Sequence, residues 1–128
     1  MATKTTVNKF KIKGKEHELK LSWGASKRLH SMIEGGAFGL VGKAVMGDDE
    51  TYAYVVFAGL MHTGEDYSLE DVNEAIDEAF QSGKLRMSDV INTLHSFILE
   101  NPYYKTTVDK LLEADPKAKD AIDKIRGL

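Results

Sequence analysis

A glycine-rich stretch, four histidines and several clusters of carboxylates are the groups in this chain whose spacing could support chemistry. The stretch Gly35-Gly-Ala-Phe-Gly-Leu-Val-Gly-Lys43 ends on lysine, as a phosphate-cradling loop does. Such a loop closing at Gly42-Lys43 needs glycine at 37, where the backbone folds tightly, and a hydroxyl residue at 44 to hold Mg2+. Both positions are alanine. The stretch therefore reads either as a tight turn that packs Phe38, Leu40 and Val41 into the core, or as a flexible segment that offers them to a partner. His17, His30, His62 and His95 lie too far apart in sequence for metal-ligand spacing, and no His-Glu-x-x-His occurs. The absence of cysteine excludes disulfides and thiolate metal sites. Asp48-Asp49-Glu50 lacks the alternating ligands of a calcium loop and its final glutamate, and suits a helix start instead. Glu70, Glu74, Asp77 and Glu78 fall on the outer face of an amphipathic segment, whereas an acid/base pair needs a cleft. No serine sits in a Gly-x-Ser-x-Gly setting. These residues point to no catalytic or metal site and no cofactor, and the chain reads as a binding protein rather than an enzyme.

The elements that would position these groups are those of one small domain. At 128 residues with 42% hydrophobic content, the chain can bury a single core without staples. The net charge of −3 hides a segregation of charge. Up to His30 there are eight Lys/Arg against two Glu, and from Ser31 to Phe80 eleven Asp/Glu against one Lys. The basic start reads as a solvated hairpin rather than a nucleic-acid footprint, since lysines also protect an edge strand. The longest apolar run, Tyr52–Met61, is about half the ~20 residues that a membrane span requires. Met1–Lys15 has no apolar h-region, which predicts no secretory signal and a cytoplasmic protein.

Thr6–Lys13 and His17–Ser22 alternate apolar and polar residues around Gly14-Lys15, the pattern of a β-hairpin with Phe10, Ile12, Leu19 and Leu21 inward. Ser22 or Gly24 opens a helix with Ala25, Leu29, Met32 and Ile33 on one stripe, closed by Gly35-Gly36. Ala37–Met46 is either a short helix or a mobile loop, because each interior glycine disfavours helix. Tyr52–His62 reads as a central buried helix. Ser68-Leu-Glu-Asp71 is a capping box ahead of Leu69, Val72, Ala75, Ile76, Ala79 and Phe80, with Gly83 as the stop. Met87–Ile98 gives the next helix, ended by Asn101-Pro102. Thr106–Ala114 and a segment opening at Asp115-Pro116, with a thin apolar side at Ala118, Ala121, Ile122 and Ile125, complete the chain. The fold class is thus α+β, mostly α: an N-terminal β-hairpin packed on a bundle of about five to six helices. Residues 1–102 form the hairpin and helical core, and 103–128 a C-terminal helical extension, flexible or ordered by a partner. Trp23 reads as a core anchor between hairpin and helices. Of the adjacent Tyr103 and Tyr104, at least one is expected to face outward.

The hairpin Phe10-Lys-Ile-Lys-Gly-Lys-Glu-His-Glu-Leu-Lys-Leu21, the glycine pair Gly35-Gly36, the apolar helix closing with Ala58-Gly-Leu-Met61 and the Ser-Leu-Glu-Asp-Val start at Ser68 occur in that order. From Phe10 to Ile98 this layout resembles the tail assembly chaperones of long-tailed, siphovirus-type phages of Gram-positive bacteria. The resemblance implies a non-catalytic protein of the bacterial host's cytoplasm, absent from the mature virion. It implies binding to the tape-measure protein, which is kept soluble while tail-tube subunits are recruited around it. A head–tail or tail component retained in the virion is the alternative. Phe38, Leu40, Val41, Tyr103, Tyr104, Ile122 and Ile125 are the candidate partner-binding residues. The last two also suit a homo-oligomer; no nucleic acid or membrane partner is expected.

Overall fold

The computed structural model describes residues 9–114 together with Lys117 and Asp120. The two strands β1 (Lys9–Ile12) and β2 (Lys15–Glu18) pair antiparallel, with Phe10 opposite His17 and Ile12 opposite Lys15. Lys13 and Gly14 between them both have positive φ, 51° and 80°, the geometry whose twist matches a two-residue hairpin. Phe10 and Ile12 are buried while Lys9 and Lys11 are exposed, as the period of two requires. The second strand ends earlier than its alternation suggests. After Glu18 the chain peels off, and the Lys20 N–H donates to the Gly59 carbonyl at 3.0 Å. Leu19 then lies so close to Gly59 that a Cβ there would sit 3.2 Å from it.

Six α-helices follow: α1 (Trp23–Met32), α2 (Gly36–Met46), α3 (Asp49–Gly59), α4 (Leu69–Gln81), α5 (Met87–Leu94) and α6 (Lys105–Ala114). The starts are set by side chains that satisfy otherwise orphaned N–H groups. Ser22 Oγ accepts from Ala25 N–H at 3.1 Å, and Asp48 Oδ2 accepts from both the N–H and the hydroxyl of Thr51 at 2.9 and 2.7 Å. The capping box at α4 is reciprocal: Asp71 N–H donates to Ser68 Oγ and Ser68 N–H to Asp71 Oδ2, each at 3.0 Å. Asp89 Oδ2 accepts from Arg86 N–H at 2.9 Å, so α5 opens one turn before its first buried residue, Val90. The helix then widens into a π-helical turn, His95–Leu99, before Asn101-Pro102 ends it.

The glycine-rich stretch is helical. Leu40, Val41, Ala44 and Val45 form one buried stripe of α2. Burial of that stripe outweighs the weak helix preference of Gly39 and Gly42, as tertiary packing commonly does. Gly35, with φ of 89°, supplies the sharp entry. The central α3 is buried nearly all round, including Tyr52, Val55, Val56 and Ala58, and packs against α1, α2, α4 and α5. One core cluster runs from Phe10 and Ile12 through Leu40, Val56, Val72 and Leu94 to Tyr104, Val108 and Leu111. The core thus continues past Pro102, with α6 packed on α2. The last expected helix, from Asp115-Pro116, lies outside the described residues apart from Lys117 and Asp120, as do Ile122, Ile125 and the start of the first strand at Thr6.

Candidate partner-binding surface

Ser22 ends the chain's extended approach and makes Trp23 the first residue of α1. The inward stripe of this helix is Ala25, Leu29 and Ile33; at 100° per residue Trp23 falls roughly a third of a turn off its centre. It is accordingly 63% exposed, not the core anchor its aromatic character suggests. Opposite it, Asn101 Oδ1 accepts from Tyr103 N–H at 2.9 Å and fixes a single 3-10 turn, Pro102–Tyr104. Consecutive residues of a 3-10 turn point about 120° apart. Tyr104 therefore enters the core with no exposure while Tyr103 stays 47% exposed.

The rings of Trp23 and Tyr103 meet edge to face, with centroids 5.3 Å apart and an interplanar angle of 84°. His30 stacks on Tyr103 at 5.9 Å and 13°. Tyr104 lies beneath both, edge-on to Tyr103 at 4.9 Å and to His30 at 5.5 Å. Its hydroxyl shares a 2.7 Å hydrogen bond with His30 Nε2. Burial pushes this hydroxyl up to about 12, partly offset by the Ser26 hydroxyl, so it keeps its proton at neutral pH. Lys27 places its Nζ 5.9 Å from the centre of the Trp23 ring, on the rim of the cluster. The outcome is an aromatic platform whose outer rings are exposed and whose inner ring is clamped in the core. Such rings offer a large apolar area with little side-chain freedom left to lose on binding.

Burial also lowers His30 below its ordinary value of 6.5. Below that pH the unfolded chain binds a proton that the folded ring resists. Stability is therefore fullest above 6.5 and falls as the pH drops from 6.5 through the lowered folded value. An NMR titration of the His30 ring is expected to give a midpoint below 6.5, and His30→Gln to flatten the pH dependence of Tm in that window; a midpoint at or above 6.5 would contradict the burial seen here.

The remaining candidates divide. Phe38 is 49% exposed, off the inner stripe of α2, whereas Leu40 and Val41 are fully buried. Leu40 and Val41 are thus core residues, as is Tyr104, because helical and 3-10 periodicity turns them inward. Met46, Met61 and Met87 are further exposed large apolar residues, beyond the candidates that aromatic and glycine-rich motifs suggest. Their signal is position at helix ends: Met46 is the last residue of α2, Met61 the first of the 3-10 turn after α3, and Met87 the first of α5.

Elsewhere an open groove of about 1110 Å3 runs between the hairpin and the helices α4 and α5. The hairpin side is lined by Lys9, Lys11, Lys13 and Glu16, and the helical side by Glu78, Lys84, Asp89 and Glu100. The Tyr52 hydroxyl, pushed up to about 12 by burial and by the Asp89 carboxylate, is also at this groove. Among the described residues no group of three or more His, Asp or Glu is placed to hold a metal ion, and no helix is long and apolar enough to cross a membrane.

No curated protein and no solved structure matches the chain. The model of one protein family, described as phage tail assembly chaperone protein, matches residues 9–113. That span takes in the hairpin, all six helices but the last residue of α6, and the whole aromatic platform, so the chain belongs to the phage tail assembly chaperone family.

Proposed function

We propose that the chain binds the tape-measure protein through the Trp23–Tyr103 platform, keeps it soluble before assembly and helps recruit tail-tube subunits around it. It acts in the cytoplasm of the bacterial host, catalyses nothing and leaves before the virion is complete. The observation that carries this reading is an edge-to-face aromatic pair, Trp23 and Tyr103, 63% and 47% exposed, on a member of a tail-assembly chaperone family. A tape-measure chain awaiting its tube presents apolar helical stripes, and exposed stripes of that kind aggregate. Trp and Tyr are the residues that most often dominate such contacts. Phe38 adds a further exposed apolar side chain on α2.

Co-expression with the tape-measure protein is the test. The wild-type chain is expected to keep that protein in the soluble fraction. Trp23→Ala combined with Tyr103→Ala is expected to reduce the soluble complex by about tenfold or more, since each truncated hot-spot residue typically costs ~2 kcal/mol or more. The double variant should retain its helical circular dichroism. A tape-measure protein equally soluble without this chain, or with the double variant, overturns the proposal. Mass spectrometry of purified particles should find the chain absent; a stoichiometric amount would make it a structural component of the tail instead.

A further inference from the structure

The two edges of the hairpin differ. Ile12 and Lys15 flank the two-residue turn, so they exchange both backbone hydrogen bonds, and Phe10 and His17 are the next pair to do so. By the same alternation Lys9 and Lys11 turn their N–H and C=O groups away from β2, and Glu16 and Glu18 turn theirs away from β1. The β2 edge is closed: His62 Nε2 donates to the Glu18 carbonyl at 2.6 Å, and Lys20 ties the chain beyond it to Gly59 of α3. The β1 edge is open. Among the described residues the sheet has no third strand, and the outward backbone groups of Lys9 and Lys11 have no hydrogen-bond partner. This edge borders the groove of about 1110 Å3 whose other side is built by α4 and α5. At about 3.3 Å per residue, the four residues of β1 offer roughly 13 Å of edge.

Side chains decide what can lie there. Lys9 and Lys11 are exposed, and neither forms an ion pair among the described residues. Phe10 and Ile12 point to the opposite, buried face, and the apolar lining of the groove on its helical side is Ala75, Ala79 and Leu85. A strand laid beside β1 would alternate in the same way, one set of residues beside Lys9 and Lys11 and the other against that apolar lining. Opposite charges across a ladder stabilise it and like charges destabilise it, so the outer set must be acidic. We propose that the β1 edge takes a third strand from a partner protein, an extended segment in which acidic and apolar residues alternate. A second copy does not fit: its β1 would set lysine against lysine, and its β2 edge is already closed by His62. A nucleic-acid strand does not fit either, because Glu78, Asp89 and Glu100 across the groove repel phosphates. The groove lining includes neither Trp23 nor Tyr103, so one chain can hold two partners at once. The inference therefore stands apart from the tape-measure reading.

The test is an NMR titration of the 15N-labelled full chain with the end-blocked peptide Thr-Glu-Val-Glu-Val-Glu-Thr, and with Thr-Lys-Val-Lys-Val-Lys-Thr as its charge-reversed control. With the first peptide at about ten times its Kd, solvent exchange of the Lys9 and Lys11 amides is expected to slow by roughly tenfold, while the Trp23 and Tyr103 amides keep their shifts. The variant K9E/K11E turns two attractive cross-strand pairs repulsive, so it should bind the Glu peptide about tenfold more weakly and take up the Lys peptide instead. Lys11→Pro removes one groove-facing N–H without touching the β1–β2 bonds, as proline on an edge strand can, and should weaken the Glu peptide too. Helical circular dichroism should be unchanged in both variants. Unaltered exchange at Lys9 and Lys11, equal binding of the two peptides, either variant binding as the wild type does, or tighter binding of single-stranded DNA than of the Glu peptide would each overturn the proposal.

Discussion

Leu40→Ala is expected to lower the free energy of unfolding by about 2–5 kcal/mol, whereas Phe38→Ala, in the same helix, changes it by less than ~1 kcal/mol. Leu40 is fully buried in the cluster that α2 shares with α3, α6 and the π-helical turn, so truncation removes apolar contacts and leaves a void among elements that cannot all collapse. Phe38 is half in solvent and its loss leaves no sealed cavity. For a chain of this length each kcal/mol moves Tm by roughly 3–5 °C, so the Leu40 variant should melt about 10 °C or more below the wild type. Thermal unfolding followed by circular dichroism checks both. Equal effects at the two positions would mean that α2 does not present the faces described.

Gly39→Ala is expected to destabilise the fold by about 1–3 kcal/mol, against a helix preference that alone would favour alanine by ~1 kcal/mol. A Cβ at position 39 would run into the carbonyl oxygen of Glu34, a backbone atom that cannot swing aside as a side chain would. Three residues on, Gly42 has open space where its Cβ would go and an ordinary helical φ. Gly42→Ala should therefore stabilise by roughly 0.5–1 kcal/mol. The pair is a control for itself: the same substitution in the same helix has opposite signs, read as opposite shifts of the urea midpoint. Two stabilising outcomes would show that the Ile33–Gly36 corner does not pass close to Gly39.

What could be read from the residues beforehand was what is local. The capping box at Ser68, the stop at Gly83 and the break at Asn101-Pro102 depend on side-chain-to-backbone bonds or steric exclusion within a few residues, and each stands where the spacing places it. The helical state of Gly36–Met46 was not decided locally, since its glycines disfavour the helix that burial of Leu40, Val41 and Ala44 imposes. The same division applies to the surface. That Tyr103 and Tyr104 must part company followed from their adjacency; which one turns inward follows from Asn101 fixing the 3-10 turn. Trp23 looked like core because tryptophan usually is, yet its place relative to Ala25, Leu29 and Ile33 already pointed outward. Its meeting with Tyr103, eighty residues later in the chain, is a tertiary fact that no spacing contains.

The position of α3 has a consequence for how the chain is made. This helix is greasy on every side, and only part of its sheath precedes it: α1 and α2 come before it, but α4 and α5 follow it, and Tyr104, Val108 and Leu111 complete the core. On the ribosome, at about 5–20 residues per second, a nascent chain thus carries the α4- and α5-facing sides of Tyr52–Leu60 uncovered for several seconds before the closing segments emerge. A protein whose proposed task is to shield another's sticky helices passes, during its own birth, through the same vulnerable state.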